Sequence, residues 1–210
     1  MSNLLSSPLP PASAFGQLKA GLIGERVLAR LWSPGDADAL YTAIDESRQH
    51  LRPWMAWVDR HQNPGDAAEY ITRSLLEFTR RSDIGLGIFD LADNRIVLGA
   101  TGYHDIDWSV PSFEIGYWAT VSGQGRGYVS EAVRLLTDFA FNEFSANRIA
   151  IQCDPNNVRS RKVAERLGYH LEGQLRNRAR TSSGALRDTL VYSRIPPDPP
   201  DIRTASQADG

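Results

Sequence analysis

Gly123-Gln124-Gly125-Arg126-Gly127 is the densest glycine run in the sequence, set between a stretch with strand alternation and a long helical stripe. Glycines let the backbone take positive φ and approach a ligand closely. The amides of such a loop, and of the first helical turn after it, point outward, and the helix dipole adds favourable potential for an anion. This is the chemistry of a phosphate or diphosphate cradle, although a mobile connection would use the same glycines. No lysine follows as a Walker A loop requires. The Gly-x-Gly-x-Gly spacing, late in the chain and after antiparallel strands, does not fit a dinucleotide fingerprint.

Two further features carry polar groups in apolar settings. Glu114 lies in Ser112-Phe113-Glu114-Ile115-Gly116-Tyr117-Trp118. Strand alternation puts Glu114, Gly116 and Trp118 on one face and Phe113, Ile115 and Tyr117 on the other. A carboxylate there is partly desolvated, which raises its pKa toward the range of a general base; a structural ion pair with an arginine is the competing reading. In the helix that starts at Asn157, Asn157 and Ser160 share a face with Ala164 and Leu167. Arg159, Arg161, Lys162, Glu165 and Arg166 lie away from the apolar stripe. The two small polar side chains either cap the helix or aim at a ligand.

The elements that must position these groups follow from periodicity. Residues 22–32 read as a strand, Ser33 to Ser47 as a capped helix, and Pro64 to Arg80 as a second helix. Strands at 84–91 and 96–103 flank Ala92-Asp93-Asn94-Arg95 as a hairpin, and 112–120 is the next strand. A helix at about 127–143 carries Val129, Ala132, Val133, Leu136, Phe139 and Ala140 on one stripe. A strand at 148–153, the helix at 157–167, and strands at 169–175 and 186–195 complete the chain. The result is an α/β (α+β) domain of about seven strands and four helices over 21–195. The flanks at 1–20 and 196–210, rich in Ser, Pro and Ala or broken by proline, read as tails.

Composition removes whole classes of function. Across 210 residues, 23 Lys and Arg face 25 Asp and Glu, for a net charge of -2. That is no footprint of a nucleic-acid binder, and it does not favour a polyamine acceptor. One cysteine, Cys153, and four scattered histidines leave neither a disulfide framework nor a metal site, so no metal is expected. Cys153 reads as a small buried residue rather than a nucleophile. No apolar run is long enough to span a membrane, and the N-terminus lacks a signal-peptide pattern, so a cytoplasmic protein is expected. His104 and Asp105 are neighbours in a strand and face opposite ways, and no Gly-x-Ser-x-Gly elbow accompanies them, so a hydrolase dyad is not indicated.

Taken in order, these pieces resemble the GNAT acyltransferases. The family's Gln/Arg-x-x-Gly-x-Gly/Ala loop falls on Gln124, Gly127 and Val129, with Val129 departing from the usual Gly or Ala. Glu114 to Trp118, Gly125 to Ala132, Asp154-Pro155-Asn156-Asn157 with Ser160-Arg161, Leu167-Gly168-Tyr169 and Leu171-Glu172-Gly173 are similar to the RimJ/RimL branch. That branch acetylates protein N-termini, ribosomal ones included. His50-Leu51-Arg52-Pro53-Trp54-Met55 is similar to it as well, and the match spans roughly 22–195.

The resemblance implies a bent mixed sheet, splayed between 112–120 and 148–153, with acetyl-coenzyme A in the splay. The backbone of Tyr117, Trp118 and Ala119 would pair with the pantetheine arm. The amides of 123–130 (Gln124, Gly125, Arg126, Gly127, Tyr128, Val129 and Ser130 among them) would hold the diphosphate. Glu114 would be the base. The acid Tyr found in many members, seven residues after the helix Asn, is here Ala164. Ser160, three residues after Asn157 as in RimL-like members, would donate a hydrogen bond to the departing sulfur or serve to position it, and Asn157 would orient a pantetheine amide. Trp54, Trp57 and Tyr103 are candidates for the acceptor groove. The acceptor would be a protein N-terminus or a small amine, with an acetyl or a longer acyl donor such as succinyl. A module that binds acyl-CoA without transfer is the alternative. A homodimer is compatible with the branch.

Overall fold

The computed structural model describes residues 10–181 and 184–196. Its elements are α1 (Ala12–Ala20), β1 (Leu22–Ile23), β2 (Val27–Leu31), α2 (Ala37–Leu51), α3 (Pro64–Arg80), β3 (Ile84–Asp90), β4 (Val97–Asp107), β5 (Ser112–Ala119), α4 (Tyr128–Glu143), β6 (Arg148–Cys153), α5 (Val158–Arg166), β7 (His170–Arg180) and β8 (Leu186–Arg194). The strands form one sheet in the order β1-β2-β3-β4-β5-β6-β8-β7. Every pairing is antiparallel except β5 with β6. No helix among the described residues is long and apolar enough to cross a membrane.

Sequence signals place the helices. Asn63 and Asp66 exchange side-chain and backbone hydrogen bonds around Pro64, a capping box that starts α3. Ser33 and Asp36 form a second box in a 3-10 turn ahead of α2. Strand alternation then sorts the sheet's two faces. Tyr103, Phe113 and Ile115 pack with Leu136 and Phe139 of α4. Ala100 and Trp118 turn the other way, onto Leu40 and Ile44 of α2 and Ala67 and Ile71 of α3. Each of the Leu, Ile and Phe side chains, fully buried, contributes about 1.5–3 kcal/mol.

The feature that shapes the site is where the parallel pair ends. β5 and β6 are in register at Ser112↔Arg148, Phe113↔Ile149 and Glu114↔Ala150, and no further. Past Glu114, β5 stays on β4 as far as Ala119, while β6 stays on β8 as far as Cys153. The sheet therefore opens into a V whose vertex is Glu114.

Several sequence expectations change. The described residues hold eight strands and five α-helices, one more of each than expected. The strand expected at 22–32 is a short hairpin, because the Glu131 carboxylate reaches into its turn. It accepts hydrogen bonds from the Arg26 amide at 2.8 Å and the Val27 amide at 3.4 Å. A Cβ on Gly24 would meet that carboxylate at 2.4 Å, so only glycine permits the approach. Residues 12–20 are not tail but α1. Ala14, Phe15 and Leu18 are buried, and the Phe15 ring lies 5.3–6.0 Å from those of Phe144, Trp108 and Phe78. β7 runs on to Arg180 through an irregularity at Asn177, which has φ 52°. Of the expected C-terminal tail, all but Pro196 lies outside the described residues.

Candidate active site

A cleft of roughly 660 Å³ occupies the V, bounded by β5, β6, the 123–130 loop, α5 and the turn after α2. At one end the loop does what its glycines allow. Gly125 has φ 70° and Gly127 φ 81°, values that a side chain would strain. Gly127 is the N-cap of α4 and no side chain caps that helix. The first bond of the helix is Glu131 N to Gly127 O, at 3.0 Å, so the amides of Tyr128, Val129 and Ser130 precede the ladder. A Cβ on Gly125 would meet nothing within 4 Å, so open space lies beside this residue.

Arg26 braces this loop. It donates to the Arg126 carbonyl at 2.9 Å and pairs with Glu131 at 3.0 Å, tying the cradle to the β1–β2 turn. Across the mouth, Arg159 donates to Gln124, and Arg166 donates to Ser130 Oγ at 3.1 Å. Arg159, Lys162 and Arg166 all line the cleft, together with Arg126. The cradle thus combines free amides with four cationic side chains, a donor set suited to phosphates.

Between the loop and the vertex, β5 offers main chain. The Thr120 amide binds the Leu98 carbonyl at 2.9 Å, so alternation turns the backbone groups of Tyr117 and Ala119 away from β4, toward the cleft. Opposite them, Asn157 Oδ1 accepts the Ser160 amide at 3.1 Å and is the cap of α5. The Ser160 hydroxyl is therefore not the cap. It lies 3.1 Å from the Tyr117 hydroxyl, which also reaches the Ser160 carbonyl at 3.0 Å. Burial pushes the Tyr117 phenol far up. Cys153 also lines the cleft; burial raises its thiol, which keeps it protonated.

At the vertex, Gln152 Nε2 donates to Glu114 Oε2 at 2.6 Å, a bond that spans the opening between β5 and β6. Burial pushes the Glu114 carboxyl up from its ordinary value, against the lowering effects of the His104 charge and the Gln152 hydrogen bond. Beyond it, Arg187 of β8 donates to the Trp54 carbonyl at 3.2 Å and to Asp154 at 3.4 Å. This clasp joins the turn after α2 to the far arm of the V.

The chain matches the family described as the acetyltransferase (GNAT) domain over residues 26–170. It belongs to the GNAT acetyltransferases. The GNAT enzyme is 30% identical to "Putative ribosomal N-acetyltransferase YdaF" of Bacillus subtilis (strain 168), over 82% of this chain and 93% of that protein. It is 28% identical to the ribosomal-protein-serine acetyltransferase of Escherichia coli (strain K12), over 74% and 85%. Its fold is that of the microcin C7 self-immunity acetyltransferase MccE, solved with acetyl-CoA and AMP, with a TM-score of 0.77, 24% identity and coverage of 84% and 99%. The protein is an acetyl-CoA-dependent N-acetyltransferase of the RimJ/RimL-like branch, and the cradle, the open edge of β5 and the cationic mouth fit that co-substrate. Among the described residues, no group of three or more His, Cys, Asp or Glu could hold a metal.

The GNAT cleft brings together most of the residues singled out in the sequence. Glu114, Tyr117, Trp118, Ala119, the run from Gln124 to Ser130, Asn157, Ser160 and Trp54 all line it. Two expected acceptor residues do not. Tyr103 is fully buried, with its hydroxyl on the Leu136 carbonyl at 2.5 Å. It pairs with Ile115, on the sheet face opposite Glu114, and so belongs to the packing of α4. Trp57 packs behind the cleft, its ring 5.9 Å from that of Trp118. Sequence reasoning missed Gln152, Arg187 and the cationic face of α5. Only the last had a signal, the 159, 162, 166 spacing of one helix face.

Proposed function

We propose that this enzyme acetylates the N-terminal α-amine of a protein or peptide, in the cytoplasm where acetyl-CoA is supplied. The observation that carries the reading is the loss of β5–β6 pairing immediately after Glu114, which leaves a desolvated carboxylate at the vertex of a cleft built for coenzyme A. The names of the curated relatives, ribosomal and ribosomal-protein-serine N-acetyltransferases, support the choice of acceptor.

In this reading the 125–130 amides and Arg126, Arg159, Lys162 and Arg166 bind the phosphates. The open backbone of Tyr117 and Ala119 pairs with the pantetheine arm. The side-chain amide of Asn157, whose oxygen is spent on its cap, donates to the same arm. When bound, acetyl-CoA supplies the activated acyl group. Glu114, steadied by Gln152, takes a proton from the acceptor amine so that the nitrogen lone pair can attack the thioester carbonyl. Ser160, held beside the Tyr117 hydroxyl, donates to the departing sulfur. Trp54 flanks the acceptor entrance, and the Arg187 clasp holds it in place. The test is an acceptor screen with peptides that begin Ser, Ala or Met, beside small amines. Coenzyme A release with the acetyl group on the peptide α-nitrogen is the expected result. Transfer to small amines alone would overturn the assignment.

A further inference from the structure

Glu114 sits beside a second pair of titratable groups that the mechanism above leaves unused. His104 on β4 is the register partner of Glu114 on β5, so the two side chains stand on one face, about 4.5–5.5 Å apart at Cβ. Its Nδ1 lies 2.6 Å from Asp83 Oδ2, at the start of β3. A Cβ on Gly116 would meet His104 Cδ2 at 2.9 Å and Nε2 at 3.0 Å, so the ring lies across Gly116, a residue of the cleft wall. The His104 side chain is 42% exposed, whereas Glu114 is half-buried. His104 thus touches solvent on one side and the vertex of the cleft on the other. It does not pair with Asp105, its neighbour in sequence, but with an aspartate 21 residues earlier.

We propose that the Asp83–His104 pair is the proton outlet of the active site, carrying to solvent the proton that Glu114 takes from the acceptor. The inference rests on the reading of Glu114 as base. An acceptor that arrives as an ammonium ion gives up one proton more than the coenzyme A thiol consumes, and that proton must leave a cleft filled by two substrates. An Nδ1–H donated to Asp83 leaves Nε2 as the lone-pair nitrogen, over Gly116 on the sheet face that carries Glu114. The proton moves from the amine nitrogen to the carboxylate, from there through a water to Nε2, and from the imidazolium to bulk water. No other bond changes, and Glu114 returns to its charged form. His104 acts through Glu114 and does not itself meet the substrate.

The surrounding charges fit the transfer. Burial lowers the proton affinity of His104, but the hydrogen bond and charge of Asp83, followed by Glu114 and Glu77 of α3, together raise it above the usual value. The Glu114 carboxyl is itself raised by burial, and Asp105 and Arg178 act on it with opposite signs. Both groups therefore hold a proton more readily than in water.

His104→Ala, His104→Gln and Asp83→Asn test the outlet, with Glu114→Gln assayed beside them. The His104 variants should lower kcat about tenfold or more near neutral pH, with the KM for acetyl-CoA unchanged. Added imidazole should restore turnover to His104→Ala, into the space the ring vacates, and should leave the wild type unaffected. His104→Gln keeps a donor for Asp83 and should be slow at an unchanged melting temperature. A wild-type kcat and pH profile in the His104 variants, or a slow His104→Ala that imidazole does not rescue, overturns the outlet. If Glu114→Gln keeps full activity, it is the base assignment that has failed.

Discussion

The two ends of the cleft are built by different means. At the loop end, the cleft is lined by main-chain amides, freed by Gly125 and Gly127 at positive φ and by a helix start without a side-chain cap, with four cationic side chains around them. At the vertex it is lined by side chains brought together from three strands and a turn: Glu114, Gln152, Arg187 and the Trp54 segment. A main-chain site needs only that the chain can turn and that nothing fills the space. A side-chain site needs particular functional groups held at particular distances. Substitutions at the loop end should therefore act through backbone geometry and affinity, and those at the vertex through chemistry at unchanged affinity.

The largest effect should come from Glu114→Gln. Removal of a general base costs about 100- to 10,000-fold in kcat, while the stabilisation by acetyl-CoA should survive. The sign of the pH dependence follows from the raised carboxyl: the base works only when ionised, so activity should rise with pH through a value above the ordinary glutamate range, and the variant should lack that limb. A loss below about threefold at every pH would mean that the vertex is structural.

Next should come the loop. Acetyl-CoA at a hundredfold excess over Kd stabilises the native state by about 2.7 kcal/mol. Gly125→Val and Gly127→Val should abolish the corresponding rise in melting temperature, since both need positive φ and a Gly127 Cβ would also stand 3.4 Å from the Arg26 guanidinium. An intact shift in both variants would erase the distinction between the two ends.

Ser160→Ala sharpens the comparison, because Ser160 lies between the ends. Loss of a hydrogen bond to a developing charge costs about 1.5–3 kcal/mol, or roughly 10- to 150-fold in kcat. Its melting temperature should hardly move, since the cap of α5 is Asn157. Asn157→Ala gives the smallest and opposite signature: about 1 kcal/mol of stability lost with the cap, and a kcat that falls less than in Ser160→Ala. Equal losses of stability in the two variants would return Ser160 to a structural role.

How much of this was legible in the sequence follows from the same contrast. The loop was readable because glycine spacing between a strand and a helix is a local signal. So was Glu114, a carboxylate within an apolar alternation. Gln152 was not, because its partner is 38 residues away and the contact exists only through the β5–β6 geometry. Arg187 and Trp54, 133 residues apart, are further still. Tyr103 was misplaced for want of the hairpin register: once it pairs with Ile115, parity alone sends it into the core. α1 escaped notice because three apolar residues, Ala14, Phe15 and Leu18, make too short a stripe to stand out. Phe15 gains its burial from an aromatic cluster drawn from distant parts of the chain.

The most direct test of the account is an experimental structure with acetyl-CoA bound. The account predicts the diphosphate on the amides of 125–130 beneath Arg126 and Arg159, the pantetheine alongside Tyr117 to Ala119, and the thioester carbonyl at the vertex beside Glu114. A cofactor that leaves the 125–130 amides in solvent, or that places its thioester away from Glu114 and Ser160, would contradict it.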